Sequence, residues 1–153
     1  MKVLITGATG LIGATLRSKF DNPILTSRNP ATAQKRWPKA DVMEWPVSSS
    51  TPAPPADIDT VFHLAGEPVA GSRWTAERME RIRESRVAGT RSLVEWLGGL
   101  PRPPKTLVCA SAIGFYGDRG EETLTEMSAP GDSFLAEVCA SWEAEARRAE
   151  AFG

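Results

Sequence analysis

The sequence is poor in the residue types that form metal sites and disulfide frameworks. It has one histidine, His63, and two cysteines, Cys109 and Cys139, which do not form a Cys-x-x-Cys pair. Neither a metal site nor a set of disulfides is therefore indicated. There is also no apolar run of membrane length, and the first residues have no signal-peptide pattern, so the sequence predicts a cytoplasmic protein without a membrane partner.

An excess of charge of one sign is missing as well. The formal net charge is -1, which offers no electrostatic field for a polyanion and argues against nucleic acid as a general partner. What the sequence does have is the ordinary composition of a globular domain, with 41% hydrophobic and 24% charged residues. Its 153 residues are enough for one compact core.

Short apolar segments alternate with helical patterns along the chain. Strands are predicted at residues 2–6, 24–26, 42–43, 60–64 and 106–110, and helices at 11–20, 76–97 and 133–152. The proline-rich segment 46–57 is predicted to be a surface loop. This alternation is typical of an α/β fold with a Rossmann-type, doubly wound parallel sheet. Since the last helix should lead to a sixth strand, we expect residues 1–153 to be a nucleotide-binding domain whose sheet is incomplete at its C-terminal edge.

The first strand runs into the loop Gly-Ala-Thr-Gly-Leu-Ile-Gly, which precedes a helix. In this arrangement the first glycine allows a tight turn, the second lets the backbone approach a pyrophosphate, and the third lets the helix pack on the strand. The alternative is a tight turn with no ligand, but the flanking strand and helix favour a dinucleotide. The candidate cofactor-binding residues of the loop are Gly7, Thr9, Gly10, Leu11, Ile12 and Gly13.

The second strand ends in Ser27-Arg28, where domains that prefer NAD place a carboxylate. An arginine matches a 2'-phosphate instead, so these residues predict NADP rather than NAD, unless Arg28 is simply an exposed loop charge. After the fourth strand, the backbone of Leu64, Ala65 and Gly66 is expected to lie against the cofactor. His63 before them is expected to be structural.

Several motifs in order resemble one family. They are the glycine loop, His-Leu-Ala-Gly-Glu-Pro from position 63, Ser-Arg-Val-Ala-Gly-Thr from 85, and Ser-Ala-Ile-Gly-Phe-Tyr-Gly-Asp from 111. Together they resemble the extended short-chain dehydrogenases/reductases, most closely the atypical epimerase-like subfamily called NAD-dependent epimerase/dehydratase family proteins. The resemblance covers essentially the whole chain. It implies a protein about twice this length, with a C-terminal substrate-binding portion that residues 1–153 do not contain.

The catalytic set that the resemblance implies is altered in this chain. The family uses a serine after the fifth strand, a Tyr-x-x-x-Lys on the next helix and an asparagine on the preceding helix. Here the last lysine is Lys105, so no Tyr-x-x-x-Lys follows the fifth strand. Cys139 stands at the lysine position and Arg86 at the asparagine position, as in the atypical subfamily. Ser111 is the candidate serine, although the motif can also be aligned with Ala112 at that place.

The remaining candidates each have a second interpretation. Tyr116 could be the proton donor, or a residue of the turn after the fifth strand. Cys139 could be a nucleophile, but its stripe of apolar neighbours indicates packing. Arg86 lies on the sheet-facing stripe of its helix and needs a partner, either the cofactor or a carboxylate such as Glu67. Arg81, one turn earlier, is a further cofactor candidate. The other charges of the helix, Arg78 among them, are predicted to form a solvated face.

Two functions follow from these residues. One is an NADP(H)-dependent oxidoreductase or epimerase-like enzyme that acts on an unidentified small molecule with an unusual proton donor. The other is a non-catalytic NADP(H)-binding sensor or regulatory protein, which the loss of the catalytic residues would permit. Self-association into a homo-oligomer is left open.

Overall fold

The computed structural model describes residues 1–71 and 73–152 of the chain. The strands are β1 (Val3–Thr6), β2 (Ile24–Ser27), β3 (Asp41–Glu44), β4 (Thr60–His63) and β5 (Thr106–Cys109). The helices are α1 (Leu11–Arg17), α2 (Pro30–Arg36), α3 (Ala76–Gly98) and α4 (Phe134–Arg147), with 3₁₀ segments at Ile113–Tyr116 and Arg148–Phe152. Within this described part, no helix has both the length and the apolar character needed to cross a membrane.

All five strands are parallel and lie in the order β3-β2-β1-β4-β5. The order reverses between β1 and β4, since the chain moves outward through β2 and β3 before it returns to the other side of β1. In sheets of this kind, ligands bind outside the carboxyl ends of the strands at the point of reversal. The predicted α/β class with a Rossmann-type parallel sheet is confirmed.

Each face of the sheet is covered by helices and has its own apolar cluster. On the α3 face, Leu4 and Val61 pack against Leu93 and Leu97, and all four side chains are buried. On the α1 and α2 face, Ile5 and Leu25 pack against Trp37. Burial on both faces explains why the strand residues are nearly all apolar instead of alternating with polar ones. β5, at one edge, is less covered, and its Val108 is 44% exposed.

The structure also corrects three details of the sequence prediction. Helix α2 was not predicted, although its signal is present: Asn29 caps it through a hydrogen bond from the Thr32 N–H to Oδ1 (3.1 Å), and Pro30 follows at the first helical position. The predicted last helix is divided into α4 and a 3₁₀ segment. The first helix ends at Arg17, three residues earlier than position 20.

Candidate functional site

The glycine loop between β1 and α1 is a tight turn fixed by its neighbours. Gly7 has a φ of +70°, and a Cβ there would lie 2.5 Å from the Leu64 carbonyl oxygen. At Gly13, a Cβ would lie 2.3 Å from the Gly7 carbonyl oxygen, so α1 can approach β1 only without a side chain. Gly10 differs, because its extended backbone suits any residue and its nearest contact would be the Gly7 oxygen at 3.4 Å. The space beside Gly10 is therefore left open by the protein.

The start of α1 presents hydrogen-bond donors beside this open space. Gly10 precedes the helix and provides no side-chain cap. The N–H groups of the first helical turn, from Leu11 onward, have no acceptor within the helix itself. The Leu11 and Ile12 side chains are 90% and 66% exposed, so apolar side chains stand around these donors. Such a turn suits an anionic group that also carries apolar parts.

A cleft of about 350 Å³ opens at the carboxyl edge of the sheet, where the strand order reverses. It joins the loops that follow β1, β2 and β4. Its walls include six of the predicted cofactor residues, Gly7, Thr9, Ser27, Arg28, Ala65 and Gly66. They also include five residues that the sequence did not single out for the cofactor, Thr26, Asn29, Trp45, Glu67 and Ser85. The predicted residues of three separate segments thus line one cleft.

Arg28 stands exposed at the β2 end of this cleft. No hydrogen bond or ion pair from its guanidinium to another described residue is found. Beside it, the Ser27 hydroxyl accepts a hydrogen bond from the Asn29 N–H (3.1 Å), which fixes the turn. The end of β2 therefore holds a hydroxyl and an available cation next to each other.

His63 connects the glycine strand with the loop that follows β4. Its Nδ1 lies 2.7 Å from the Thr6 hydroxyl, and its Nε2 lies 2.8 Å from the Thr90 hydroxyl on α3. The Thr6 oxygen also accepts the N–H groups of Leu64 and Ala65, both at 3.1 Å. Since this leaves the Thr6 proton to donate to Nδ1, we assign the proton of the neutral ring to Nε2. Burial lowers the pKa of His63 to about 4, so the ring is uncharged at neutral pH.

Trp45 follows β3 and reaches across to the centre of the sheet. Its ring centroid lies 5.5 Å from that of His63, and its Cζ2 would be 3.5 Å from a Cβ placed on Gly89 of α3. The indole thus forms an apolar wall of the cleft, which sequence reasoning missed. The only signal was an aromatic residue directly after a strand, and this does not show which strand lies beside it.

Residues of α3 hold the segment after β4 in place. The Ser85 hydroxyl accepts the Glu67 N–H (3.0 Å), and the Arg86 Nη1 donates to the Glu67 carbonyl (3.0 Å). The Arg78 Nη2 donates to the Pro68 carbonyl (2.7 Å) and the Ala70 carbonyl (3.2 Å). Arg78 is 9% exposed, so its prediction as part of a solvated face was wrong. The alternation of charged residues along α3 does not show that the backbone carbonyls of Pro68 and Ala70 lie next to Arg78.

The two predicted cofactor arginines of α3 differ in their surroundings. Arg81 forms an ion pair with Glu77 (2.7 Å) and a longer one with Glu67 (4.0 Å). Arg86 uses the main-chain oxygen of Glu67 and not its carboxylate. Burial lowers the pKa of Arg86, with the nearby Cys139 and Glu67 opposing this effect. The positive charge of Arg86 is thus less well neutralised by carboxylates than that of Arg81.

The three catalytic candidates lie near the end of β5 and outside the walls of the cleft. The Ser111 hydroxyl donates to the Glu143 carboxylate on α4 (2.6 Å). Tyr116 ends a 3₁₀ turn and packs edge-to-face on Phe115, with centroids 5.2 Å apart. Cys139 is buried on α4, and desolvation raises the pKa of its thiol despite the nearby Arg86. None of the three has, in this described arrangement, the contacts that would activate it for proton transfer or attack.

Comparisons with known proteins agree with this geometry. The model of the NAD dependent epimerase/dehydratase family matches residues 3–151. The chain is 32% identical over 159 residues to the epimerase family protein YfhF of Bacillus subtilis, covering 100% of this chain and 52% of YfhF. The chain therefore spans about half the length of the curated relatives it matches.

Two solved structures are also similar. One is human epimerase family protein SDR39U1 (isoform 2) with NADPH, at 27% identity and a TM-score of 0.80 over 96% of this chain and 49% of the human one. The other is a nucleoside-diphosphate sugar epimerase of Corynebacterium glutamicum, at 36% identity and a TM-score of 0.64 over 100% of this chain and 32% of that one. From its glycine loop to its last helix, this chain belongs to the NAD-dependent epimerase/dehydratase family.

Proposed function

We propose that the chain binds NADP(H) in the cleft at the carboxyl edge of the sheet and forms the nucleotide-binding half of an oxidoreductase or epimerase-like enzyme. The observation that carries this proposal is the continuity of the cleft, which runs from the glycine loop to Ser27-Arg28 on one side and to Ala65-Gly66 on the other. In this arrangement the N–H groups of Leu11 and Ile12 bind the pyrophosphate. The nicotinamide extends past Leu64 and Gly66 toward β5.

The preference for NADP over NAD rests on the β2 end of the cleft. A 2'-phosphate is doubly charged or nearly so and matches the planar, multidentate guanidinium of Arg28. Ser27 adds a hydroxyl, and no carboxylate follows β2 directly to bind the ribose hydroxyls of NAD. The NADPH bound by the human relative supports the same choice. We expect hydrogen bonds to the charged group to favour NADPH by roughly 1.5–3 kcal/mol, which is about tenfold to a hundredfold in affinity.

Titration of NADPH and NADH into wild type and Arg28→Ala tests this proposal. The variant should lose most of the affinity for NADPH and keep that for NADH, so that the two become nearly equal. Lys35→Ala is the matched control, because it removes one exposed positive charge from the helix that follows β2. Equal affinities in wild type, or an unchanged NADPH preference in Arg28→Ala, would contradict the assignment.

A non-catalytic NADP(H)-binding sensor is the second candidate function. It is favoured by the state of the three catalytic candidates, since Ser111 is bonded to Glu143 and Cys139 is buried with a raised pKa. The two functions separate in one assay: NADPH oxidation by the full-length protein against a panel of carbonyl and sugar-nucleotide substrates. Turnover that Tyr116→Phe or Ser111→Ala lowers at least tenfold supports the enzyme. Binding of NADPH without turnover on any substrate supports the sensor.

We propose further that a second, substrate-binding half follows this chain in the complete protein, as the length of the relatives indicates. A groove of about 330 Å³ lies beyond β5, where Leu107, Cys109 and Phe152 are among its lining residues. A parallel strand beside β5 would cover it. The cytoplasmic location, the substrate and a homo-oligomeric state stay predictions.

Thermal melting tests the second half directly. A chain extended to the length of YfhF should melt at a higher temperature than residues 1–153, and by roughly 2–4 °C for each 1 kcal/mol that the added contacts contribute. Light scattering should show less association for the longer chain. A short form that is monomeric, cooperatively folded and fully active would contradict the proposal.

A further inference from the structure

The guanidinium of Arg86 lies against Gly66, which is a residue of the cleft wall. A Cβ placed on Gly66 would lie 3.2 Å from the Arg86 Cζ and 3.3 Å from its Nη2. Gly66 itself lines the cleft. Because residue 66 has no side chain, the guanidinium lies directly against the backbone of the cleft wall. A ligand that passes Gly66 therefore comes close to a positive charge.

One edge of this guanidinium is available for a ligand. The Arg86 Nη1 donates to the carbonyls of Glu67 (3.0 Å) and Ile82 (3.3 Å). For Nε and Nη2, no acceptor is found among residues 1–71 and 73–152. Arg86 is only partly buried, unlike Arg78, so its side chain is not closed off from solvent. The Nε and Nη2 donors lie side by side and match the two oxygens of a carboxylate.

The charge of Arg86 is fixed in place but not neutralised. Its Cζ lies 5.3 Å from the ring centroid of the buried Trp142, which supports one face of the guanidinium. No ion pair formed within the described part of the chain includes Arg86. The carboxylate of Glu67, whose charge acts on Arg86, lies 4.0 Å from the Arg81 Nε. Desolvation accordingly lowers the pKa of Arg86. A desolvated, oriented arginine of this kind gains free energy when an anion binds.

The position of Arg86 indicates which molecule supplies that anion. If the proposed function holds, the cofactor's pyrophosphate lies at the glycine loop and its 2'-phosphate lies at Arg28. No cofactor phosphate is then left for Arg86. Arg86 lies against Gly66 and over the ring of Trp142 on α4, and the proposed path of the nicotinamide past Gly66 toward β5 leads to this region. We propose that Arg86 binds a carboxylate of the substrate, and that the substrate class is a small carboxylic acid whose reacting carbon lies near that group. This inference rests on the proposed NADP(H) function.

The experiment uses oxalate as the probe, since it presents two carboxylates and nothing else. Oxamide, a neutral diamide of the same shape, is the ligand control. Each is titrated by calorimetry into the full-length protein with and without saturating NADP⁺, and NADP⁺ affinity is measured separately. The variants are Arg86→Gln and Arg86→Lys, with Arg83→Gln as the matched control. Arg83 lies on the same helix over the Phe134 ring (5.2 Å) and pairs with Glu137 (3.4 Å).

Oxalate should bind wild type and Arg83→Gln alike, and at least about tenfold more weakly to Arg86→Gln, since a charge-assisted pair is lost. Arg86→Lys should recover part of the affinity, because lysine keeps the positive charge but lacks the two parallel N–H donors of the guanidinium. Oxamide should not bind, and NADP⁺ affinity should stay within about twofold. Circular dichroism verifies that each variant is folded.

Three results would overturn the inference. They are equal oxalate affinity in wild type and Arg86→Gln, no oxalate binding to wild type with NADP⁺ bound, and a parallel loss of NADP⁺ affinity in Arg86→Gln. The third result would assign the guanidinium to the cofactor. Failure of wild type to bind NADP⁺ would instead contradict the proposed function, and the oxalate titrations without NADP⁺ would then decide the role of Arg86 by themselves.

Discussion

The cleft and the neighbouring end of β5 differ in how completely this chain builds them. In the cleft, the glycine loop, Ser27 and Arg28 lie together. At the β5 end, Ser111 and Cys139 are engaged with α4 and with the core. The cleft depends on the backbone geometry of the loops that follow β1, β2 and β4. The catalytic candidates are side chains near β5 at the edge of the sheet, and the proposed second half would have to complete their surroundings.

The largest expected effect separates binding from folding within the glycine loop itself. Gly10→Val should weaken NADPH binding by more than about a hundredfold, because its side chain fills the space of the pyrophosphate, while the fold is kept. Gly13→Val is the contrasting variant, since its Cβ would lie 2.3 Å from the Gly7 carbonyl oxygen and should prevent folding. Calorimetry and circular dichroism measure the two effects. Retained binding in Gly10→Val would mean that the loop is only a turn.

The next effect concerns His63, which connects Thr6 of β1 with Thr90 of α3. Its pKa is about 4 in the folded chain and 6.5 in the unfolded one, so the unfolded chain binds more protons between these values. The free energy of unfolding should therefore be highest above pH 6.5 and fall, as the pH drops to about 4, by roughly 3 kcal/mol at most.

Urea unfolding from pH 8 to pH 4 measures this dependence. His63→Asn should be less stable at pH 8 but lose much of the decrease below pH 6.5, because the titrating group is gone. The same slope in both proteins would show that other groups cause the decrease.

The smallest effect tests the β5 end. Cys139→Ala removes a buried sulfur and should cost about 1 kcal/mol or somewhat more of stability, while NADPH affinity stays within about twofold. Thermal melting and cofactor titration measure the two quantities. If the variant lost all turnover of the full-length protein but kept its stability, Cys139 would be a catalytic residue and not a packing one.

The same contrast describes what the sequence could predict. Glycines and strand ends follow from local patterns, because a turn with a positive φ or a close backbone approach requires particular residues at particular spacing. All five strands and the long helix α3 were predicted near their observed positions. Trp45 and Arg78 were not assigned correctly, since their partners lie on segments distant in sequence: His63 for Trp45, and the Pro68 carbonyl for Arg78.

Helix α2 was missed for a different reason. Its residues Pro-Ala-Thr-Ala-Gln-Lys-Arg have only alanines for an apolar face, so their periodicity is weak. The cap at Asn29 and the proline at position 30 were the better signal. The roles of Arg28 and the other cofactor candidates, and those of Ser111, Tyr116, Cys139 and Arg86, stay predictions, because a pattern of residues shows their position and not the ligand they meet.

A crystal structure of the chain with NADP⁺ tests the central claim most directly. Pyrophosphate oxygens should lie about 2.7–3.2 Å from the N–H groups of Leu11 and Ile12, with the 2'-phosphate on Ser27 and Arg28. The Nε and Nη2 edge of Arg86 should stay clear of every cofactor phosphate. A cofactor bound elsewhere, or a pyrophosphate held by Arg86 with the glycine loop empty, would contradict it.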